Sequence, residues 1–223
     1  MLSFSPSRSD HLVSNFPTKM VKKKKLKQKI NKLKQKIRQL KLRVTTDSLT
    51  GIANRHRFRE YLIQQWCQCA REEQPLSLIL CDLDYFKRIN DTYGHLVGDD
   101  CLRQVAQILS KGVKRPADLV ARYGGEEFAL ILPNTPSEGA QQVAERLRTA
   151  VANLSVAHKP TKDSLEVTVS LGVAGLIPHD RHSWNQLIAL ADRALYCAKQ
   201  MGRNRVISVD FFLESVEIET ELP

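Results

Sequence analysis

The stretch Asp118-Leu-Val-Ala-Arg-Tyr-Gly-Gly-Glu-Glu-Phe-Ala-Leu-Ile-Leu132 contains the clearest structural signal in the chain. Two runs rich in apolar residues, 118–123 and 126–132, flank the pair Gly124-Gly125, a pattern that is typical of a β-hairpin. Two acidic residues follow the glycines directly, at a point where the backbone is free to bend sharply. This stretch therefore predicts a sheet with carboxylates placed at one of its turns.

The segments around the hairpin alternate between strand and helix patterns. A short apolar run at 76–82 predicts a buried strand that ends in acids. Apolar periodicity further predicts helices at 55–73, 97–111, 137–153 and 184–201, and strands at 165–175 and 204–209. Strands that alternate with helices indicate an α/β (α+β) fold, in which helices flank a central sheet.

Charge is distributed unevenly along the 223 residues, whose net charge is +10. Residues 1–46 contain 14 Lys and Arg and one acid, whereas residues 47–223 contain 20 Lys and Arg and 23 acids. Binding to nucleic acid or to an anionic surface is therefore expected only at the first segment, residues 1–46. That segment has no aromatic residues between 20 and 46 for base stacking, which disfavours a nucleic-acid partner.

Composition divides the chain into four segments. A polar leader spans 1–19, a Lys-rich helix 20–46, an α/β domain 47–208 and an acidic tail 209–223. No stretch approaches the roughly 18 consecutive apolar residues that a membrane span requires. The five cysteines lack metal-site spacing, which favours free thiols in a reducing compartment. We therefore expect a cytoplasmic protein without a membrane span.

The Lys-rich segment has a heptad repeat. Its apolar positions are Leu26, Ile30, Leu33, Ile37, Leu40 and Val44. β-Branched residues at a with Leu at d favour a parallel two-stranded coiled coil, and the alternative is a lone amphipathic helix packed on its own domain. The flanking e and g positions are cationic, namely Lys29, Lys34, Lys36, Lys41 and Arg43. These charges repel each other across a homodimer. Because salt screens that repulsion, added salt should strengthen the dimer.

Acidic residues also end the apolar run at 76–82. Asp82 and Asp84 close the strand two residues apart, which places both on one face, and the carbonyl of Leu83 is a further oxygen donor. If this strand lies beside the hairpin, Asp82, Asp84 and Glu126 converge into a site suited to Mg²⁺ and substrate phosphates. The alternative is a set of exposed turn acids.

A polar stretch follows from Phe86 to Asp100. Asn and Asp side chains there can pair with a purine edge, and an Asp carboxylate suits the adjacent N–H donors of guanine. Near the C-terminus, Lys199 and Arg203 lie four residues apart, on one face if the helix extends that far. They are suited to a triphosphate, and the alternative is a solvated helix end.

These residues resemble the GGDEF-domain diguanylate cyclases over about residues 45–208. The matching blocks are Asp47-Ser-Leu-Thr-Gly-Ile-Ala-Asn54-Arg55, Asp82-Leu-Asp-Tyr-Phe-Lys-Arg-Ile-Asn-Asp-Thr-Tyr-Gly-His-Leu-Val-Gly-Asp99, Arg122-Tyr-Gly-Gly-Glu-Glu-Phe128, Ser170-Leu-Gly-Val173 and Ala191-Asp-Arg-Ala-Leu-Tyr-Cys-Ala-Lys-Gln-Met-Gly-Arg-Asn-Arg-Val206. Several independent motifs in one order make the resemblance specific.

The resemblance implies a palm-like sheet and the condensation of two GTP into cyclic di-GMP, with release of two pyrophosphates, by two facing domains. The implied ligands of Mg²⁺, or alternatively Mn²⁺, are Asp82, the Leu83 carbonyl, Glu126 and Glu127. The implied substrate-binding residues are Asn90, His95, Asp99, Gly124, Gly125, Lys199 and Arg203. Lys87 would stabilise phosphate charge, and Glu126 or Glu127 would assist deprotonation of the attacking 3′-hydroxyl.

The family also has a product-inhibition motif, Arg-x-x-Asp, which matches Arg115-Pro-Ala-Asp118 in the family's register to the signature. Arg146 matches a position that adds a second arginine contact to the product. The alternative for this motif is an ordinary ion pair in a loop. For the whole chain, the alternative is a non-catalytic cyclic di-GMP receptor that signals through its coiled coil. The intact Gly-Gly-Glu-Glu-Phe signature favours an active enzyme.

Overall fold

The computed structural model describes residues 16–157 and 164–210, and the chain divides between Val44 and Thr45 into two compact units. The leader up to residue 15 and the tail from residue 211 lie outside the described residues. None of the helices in the described part of the chain is both long and apolar enough to cross a membrane.

The first unit contains one long helix, α1 (Phe16–Thr45). The helix begins within the segment that the sequence assigns to the leader. Four apolar residues of the heptad are largely exposed, namely Leu26, Ile30, Leu33 and Val44. The side chains of Ile37 and Leu40 lie outside the described residues. An exposed apolar seam of this kind is typical of surfaces that take part in protein–protein contacts.

The second unit contains a five-stranded sheet in the order β2-β3-β1-β6-β7 and a separate two-stranded sheet, β4-β5. The strands are β1 (Leu76–Leu83), β2 (Leu119–Gly124), β3 (Glu127–Pro133), β4 (Ser155–Ala157), β5 (Ser164–Glu166), β6 (Val169–Leu176) and β7 (Val206–Asp210). The helices are α2 (Arg55–Glu72), α3 (Phe86–Tyr93), α4 (His95–Gly112), α5 (Ser137–Ala152) and α6 (Trp184–Gln200). The predicted α/β class and the predicted hairpin are confirmed.

Strand β1 lies at the centre of the sheet and explains the continuous apolar run in the sequence. It pairs antiparallel with β3 on one side and with β6 on the other, and all eight of its residues are buried. Ile79 and Cys81 face the core that α4 and α5 cover, whereas Leu78 and Leu80 face the core under α2 and α6. A strand covered on both faces cannot show the polar alternation of a surface strand.

Three elements differ from the sequence prediction, and one of them is the short strand β4, which the sequence did not predict. The expected strand at 165–175 is divided into β5 and β6, and between them the Thr168 hydroxyl donates to Asp84 Oδ2. The polar stretch after β1 contains the short helix α3, which buries only Ile89. A helix of eight residues with one buried apolar side chain lacks the periodicity that marks longer helices.

Helix α6 has a well-defined start. Its N-cap residue Ser183 and Gln186 form a reciprocal capping box, in which the Ser183 N–H donates to Gln186 Oε1 at 2.7 Å. The helix then packs so closely on β6 that a Cβ added at Gly172 would meet the Ala191 carbonyl and the Leu195 amide. This contact fixes where the last turn of α6, with Lys199, lies over the end of the sheet.

Candidate active site

The carboxylates predicted at the strand ends come together at one edge of the sheet. Asp82, near the end of β1, lies opposite Glu127 of β3 in the strand register. The Leu83 N–H donates to the Glu126 carbonyl at 3.4 Å. Asp82 is buried, Glu126 is half-buried and Glu127 is exposed. The exposure of the acids therefore increases along this edge, from Asp82 to Glu127 at the surface. Sequence reasoning placed these four residues in one site, and the fold brings them to the same edge.

Lys199 joins this group from the last turn of α6. Its Nζ lies 2.8 Å from Asp82 Oδ2. Burial raises the pKa of the Asp82 carboxyl, the Lys199 ammonium opposes this, and the negative charges of Glu126 and Glu127 raise it further. A buried carboxylate with two acidic neighbours is a place where a cation is favourable.

Asp84 does not join the acidic group, so the expected convergence of Asp82, Asp84 and Glu126 is wrong. Strand β1 ends at Leu83, and the rule that alternate residues share a face does not extend past it. The Asp84 carboxylate instead accepts hydrogen bonds from the Ser170 hydroxyl at 2.7 Å, the Thr168 hydroxyl at 2.8 Å and the Asn204 amide at 3.1 Å. Asp84 is a buried structural carboxylate that ties β1 to the segment before β7.

The donor set at the strand edge fits a hard divalent cation. The described residues contain no group of three or more His, Cys, Asp or Glu side chains that could hold a metal by itself. Two carboxylates, Asp82 and Glu126, and the Leu83 backbone provide only oxygen donors there. Mg²⁺ is commonly bound by one or two carboxylates together with substrate phosphates and water, which matches such an incomplete protein shell.

The glycine turn has the sharp bend that the sequence predicts. Gly125 has φ +49°, a left-handed conformation that favours glycine, and the register between β2 and β3 shifts just before Gly124. A Cβ at Gly125 would meet nothing within 4 Å. The turn therefore leaves open space beside the carboxylates.

Arg122 and Asp47 form a contact that sequence reasoning missed. The Arg122 Nε donates to the Gly125 carbonyl at 2.9 Å, and its Nη1 lies 3.3 Å from Asp47 Oδ1. Burial works to raise the pKa of Asp47, but hydrogen bonds from Thr50 and the Arg122 charge outweigh it and lower that pKa below its ordinary value. Both residues lie in the quoted motif blocks, but their separation of 75 positions hides the pairing. Arg122 thus anchors the glycine turn to the segment before α2.

We predict that Asp47→Asn lowers the free energy of unfolding at pH 7 by about 1–3 kcal/mol, as expected for a hydrogen-bonded charge. Because the folded pKa is below the unfolded value of about 3.9, the carboxylate's contribution is complete above that value and is lost as the pH falls through the folded pKa. Urea unfolding at several pH values should show the difference from wild type shrinking in acid. A difference that stays constant from pH 7 into acid would contradict this account.

The residues expected to recognise guanine lie where α3 and α4 face each other. Asn90 is on α3, while His95 begins α4 and Asp99 follows one turn later. Buried Gly98 lies against Asn90, because a Cβ added to Gly98 would collide with the Asn90 side-chain oxygen. Asn90 on α3 and Asp99 on α4 therefore lie at the place where these two helices contact each other. Gly98 therefore limits the space available to the Asn90 side chain.

Lys87 and Arg203 complete the set of predicted phosphate-binding residues. Lys87 is exposed in the first turn of α3. Arg203 does not share a helix face with Lys199, because α6 ends at Gln200 and Arg203 follows in a turn with φ +59°. Its guanidinium instead lies 4.6 Å from the ring centroid of Tyr85. The expected helical pair is therefore replaced by a helix residue and a turn residue.

Arg115 and Asp118 line a separate cavity of about 430 Å³ that also contacts Lys114 and Val120. Within the loop, the Asp118 N–H donates to the Arg115 carbonyl at 3.0 Å. Asp118 Oδ1 is buried without a hydrogen-bond partner among the described residues, and burial raises the pKa of this carboxyl. The third predicted residue, Arg146, donates to the Gly112 carbonyl at 3.1 Å and does not line this cavity.

Comparison with known proteins matches residues 44–205 to a family model described as "Diguanylate cyclase, GGDEF domain". Diguanylate cyclase A of Treponema denticola is 42% identical over 165 residues, which cover 73% of this chain and 43% of that protein. The response regulator PleD of Caulobacter vibrioides is 40% identical over 164 residues, which cover 73% of this chain and 35% of PleD. The chain thus spans less than half the length of these two relatives.

Solved structures with similar folds include the coiled coil and GGDEF domain of DgcB from Caulobacter crescentus in complex with c-di-GMP. It has a TM-score of 0.78 and 31% identity, and the match covers 85% of this chain and 98% of that one. The active GGEEF domain of a diguanylate cyclase from Vibrio cholerae has a TM-score of 0.65 and 32% identity, covering 70% of this chain and 97% of that one.

Proposed function

The chain belongs to the GGDEF-domain family of diguanylate cyclases, and on that premise we propose that it condenses two GTP into cyclic di-GMP with release of two pyrophosphates. The observation that carries the proposal is the meeting of Asp82, Glu126 and Glu127 with Lys199 at one sheet edge. Acids and a cation beside an open glycine turn are suited to a nucleoside triphosphate and its metal.

The proposed reaction is an in-line phosphoryl transfer. The 3′-hydroxyl of one GTP attacks the α-phosphate of the other, a new oxygen–phosphorus bond forms, and the bond to pyrophosphate breaks. Glu126 or Glu127 accepts the proton of the hydroxyl. A second transfer in the opposite sense closes the ring. Little covalent work falls to the protein, so positioning and charge neutralisation provide the rate increase.

The remaining residues take supporting roles in this proposal. Asn90 and Asp99, with His95 nearby, recognise guanine between α3 and α4, while Lys87, Lys199 and Arg203 offset phosphate charge. The backbone at Gly124 and Gly125 lies along the nucleotide. Asp82, the Leu83 carbonyl, Glu126 and Glu127 would hold Mg²⁺, or alternatively Mn²⁺, and the bound cation supplies charge neutralisation on the phosphates.

The stoichiometry of the products tests this function. The protein is incubated with GTP and Mg²⁺, and the nucleotides are separated while pyrophosphate is measured by a coupled pyrophosphatase assay. We expect two pyrophosphates for each cyclic di-GMP. Release of orthophosphate with GDP would indicate a GTPase instead. Binding of cyclic di-GMP with no consumption of GTP would favour the non-catalytic receptor.

Gly98→Ala should weaken GTP binding because the new methyl group occupies the position of the Asn90 side chain. Loss of one base contact is worth about 1–3 kcal/mol, so we expect the dissociation constant for a non-hydrolysable GTP analogue to rise about five-fold or more. Gly139→Ala, on α5, is the matched control, since it lies away from Asn90 and its Cβ would meet only the Thr135 methyl group and the Pro136 ring, the nearest atom being 3.2 Å away. Equal affinities in the two variants would contradict the assignment of Asn90.

We further propose a homodimer formed through α1. The exposed seam of Leu26, Ile30, Leu33 and Val44 is the apolar surface that a parallel partner helix would bury. Each domain binds one GTP, so dimerisation allows two half-sites to face each other. The exposed lysines beside the seam repel across the dimer, and screening by salt should therefore strengthen association.

The cavity at Arg115 and Asp118 is proposed as a product-inhibition site. The guanidinium is suited to a phosphate or a guanine edge, and the unpaired Asp118 Oδ1 is suited to N–H donors of guanine. Arg146 would need to leave the Gly112 carbonyl to add a second contact.

Arg115→Ala is expected to relieve product inhibition. Losing one charge-assisted contact should raise the inhibition constant for cyclic di-GMP by at least about ten-fold, while the initial rate without product stays within two-fold of wild type. Initial rates measured at increasing concentrations of added cyclic di-GMP provide the comparison. Inhibition that is unchanged in the variant would remove Arg115 from such a site.

A further inference from the structure

Tyr85 is an exposed aromatic residue in a costly backbone conformation. It lies between β1 and α3 with φ +54°, in the left-handed region, and 60% of its surface is exposed. A non-glycine residue with a bulky side chain is disfavoured there by about 1–2 kcal/mol. Its exposed ring gains little from burial, so burial alone does not explain a Tyr at this position.

The ring of Tyr85 contacts Arg203, the phosphate-binding candidate on the opposite turn. The Arg203 guanidinium carbon lies 4.6 Å from the ring centroid, and Nη1 lies 3.4 Å from the Tyr85 hydroxyl. Across residues 16–157 and 164–210, Arg203 forms no ion pair with a carboxylate. Tyr85 therefore orients a cation whose charge is still available to an anionic ligand.

The turn around Arg203 is anchored independently of this contact. The Asn204 N–H donates to Asp84 Oδ2 at 3.1 Å, and the Arg203 N–H donates to the Ala198 carbonyl at 3.0 Å. These backbone bonds fix where the turn lies. The Tyr85 ring contacts the guanidinium at the end of the Arg203 side chain. The guanidinium is the part of Arg203 that can reach a phosphate.

We propose that Tyr85 is a positioning residue that holds the Arg203 guanidinium ready for the triphosphate of GTP. The inference rests on the proposed function, because it takes the ligand of Arg203 to be that triphosphate. An arginine side chain without such a support loses rotamer freedom only when ligand binds, and this weakens binding. A stacked guanidinium has already lost part of that freedom.

The test compares Tyr85→Leu with Tyr85→Phe, which keeps the ring. We expect Tyr85→Leu to raise KM for GTP about five-fold with kcat within two-fold, and Tyr85→Phe to stay near wild type, because the cation–π contact dominates. Tyr85→Asn, which tolerates a positive φ, is a second ring-free variant should Leu disturb folding. Thermal unfolding of each variant checks the fold.

The double variant Tyr85→Leu with Arg203→Ala decides whether Tyr85 acts through Arg203. We expect the double variant to have the same KM as Arg203→Ala alone. A full additional loss in the double variant, or an unchanged KM in both ring-free variants, would overturn the inference. If the wild type makes no cyclic di-GMP, the proposed function fails. Titration of the wild type, Tyr85→Leu, Arg203→Ala and the double variant with a non-hydrolysable GTP analogue then still decides the role of Tyr85.

Discussion

Glu127→Gln should reduce cyclic di-GMP formation by about 10²–10⁴-fold, the range for loss of a general base. Glu127 is exposed at the start of β3 and lies opposite Asp82, at the edge where the proposed mechanism places the attacking hydroxyl. Glutamine has nearly the same shape but takes no proton and adds no negative charge for a cation. The substitution therefore removes the proton acceptor and the negative charge of Glu127, and it leaves the packing of the hairpin unchanged.

The matched control is Glu138→Gln, at an exposed position on α5 outside the proposed site. Rates are measured by chromatography of the nucleotides, and thermal unfolding confirms that both variants are folded. We expect Glu138→Gln to keep wild-type activity. Activity near wild type in Glu127→Gln would show that the catalytic assignment is wrong. An unfolded Glu127→Gln protein would contradict the claim that the hairpin does not need this carboxylate.

Gly172→Ala is expected to destabilise the domain by about 3 kcal/mol or more, at the upper end of overpacking costs. The added methyl group would meet the Ala191 carbonyl and the Leu195 backbone, which are parts of a helix and cannot rotate away as a side chain can. Helix α6 must shift to admit it. Because the last turn of α6 places Lys199 2.8 Å from Asp82, the shift should also lower activity.

Denaturant unfolding of Gly172→Ala and Gly139→Ala measures this effect with the same chemical change at two sites. Gly139 lies in the first turn of α5, where the higher helix propensity of Ala offsets a close contact of its Cβ with the Thr135 methyl group at 3.2 Å, so a much smaller loss than for Gly172→Ala is expected. An unfolding free energy for Gly172→Ala within about 0.5 kcal/mol of wild type would be in the range of surface substitutions and would contradict the close packing of α6 on β6.

Much of the fold follows from local signals in the sequence. The hairpin around Gly124-Gly125 and the buried strand at 76–82 are fixed by glycine flexibility and by an apolar run bounded by acids. The alternation of strands and helices gives the class. The sequence grouped the strand-end acids only on the condition that the two strands are neighbours, and the register shows that β1 and β3 do pair.

Other parts of the site depend on contacts between residues far apart in the chain. Asp84 was expected in the acidic group, but Thr168, Ser170 and Asn204 lie 84 to 120 positions away and capture its carboxylate. Arg203 was expected on a helix face, but α6 stops before it. Periodicity reports on one element at a time, so it cannot reveal such pairings.

The central claim is that two copies of the chain jointly convert two GTP into cyclic di-GMP. The most direct test is the specific activity with GTP and Mg²⁺, measured as cyclic di-GMP formed per protein over a wide range of protein concentrations. We predict that specific activity rises with concentration while the dimer forms and then reaches a plateau. Specific activity independent of concentration in samples that sediment as monomers, or no cyclic di-GMP at any concentration, would contradict the claim.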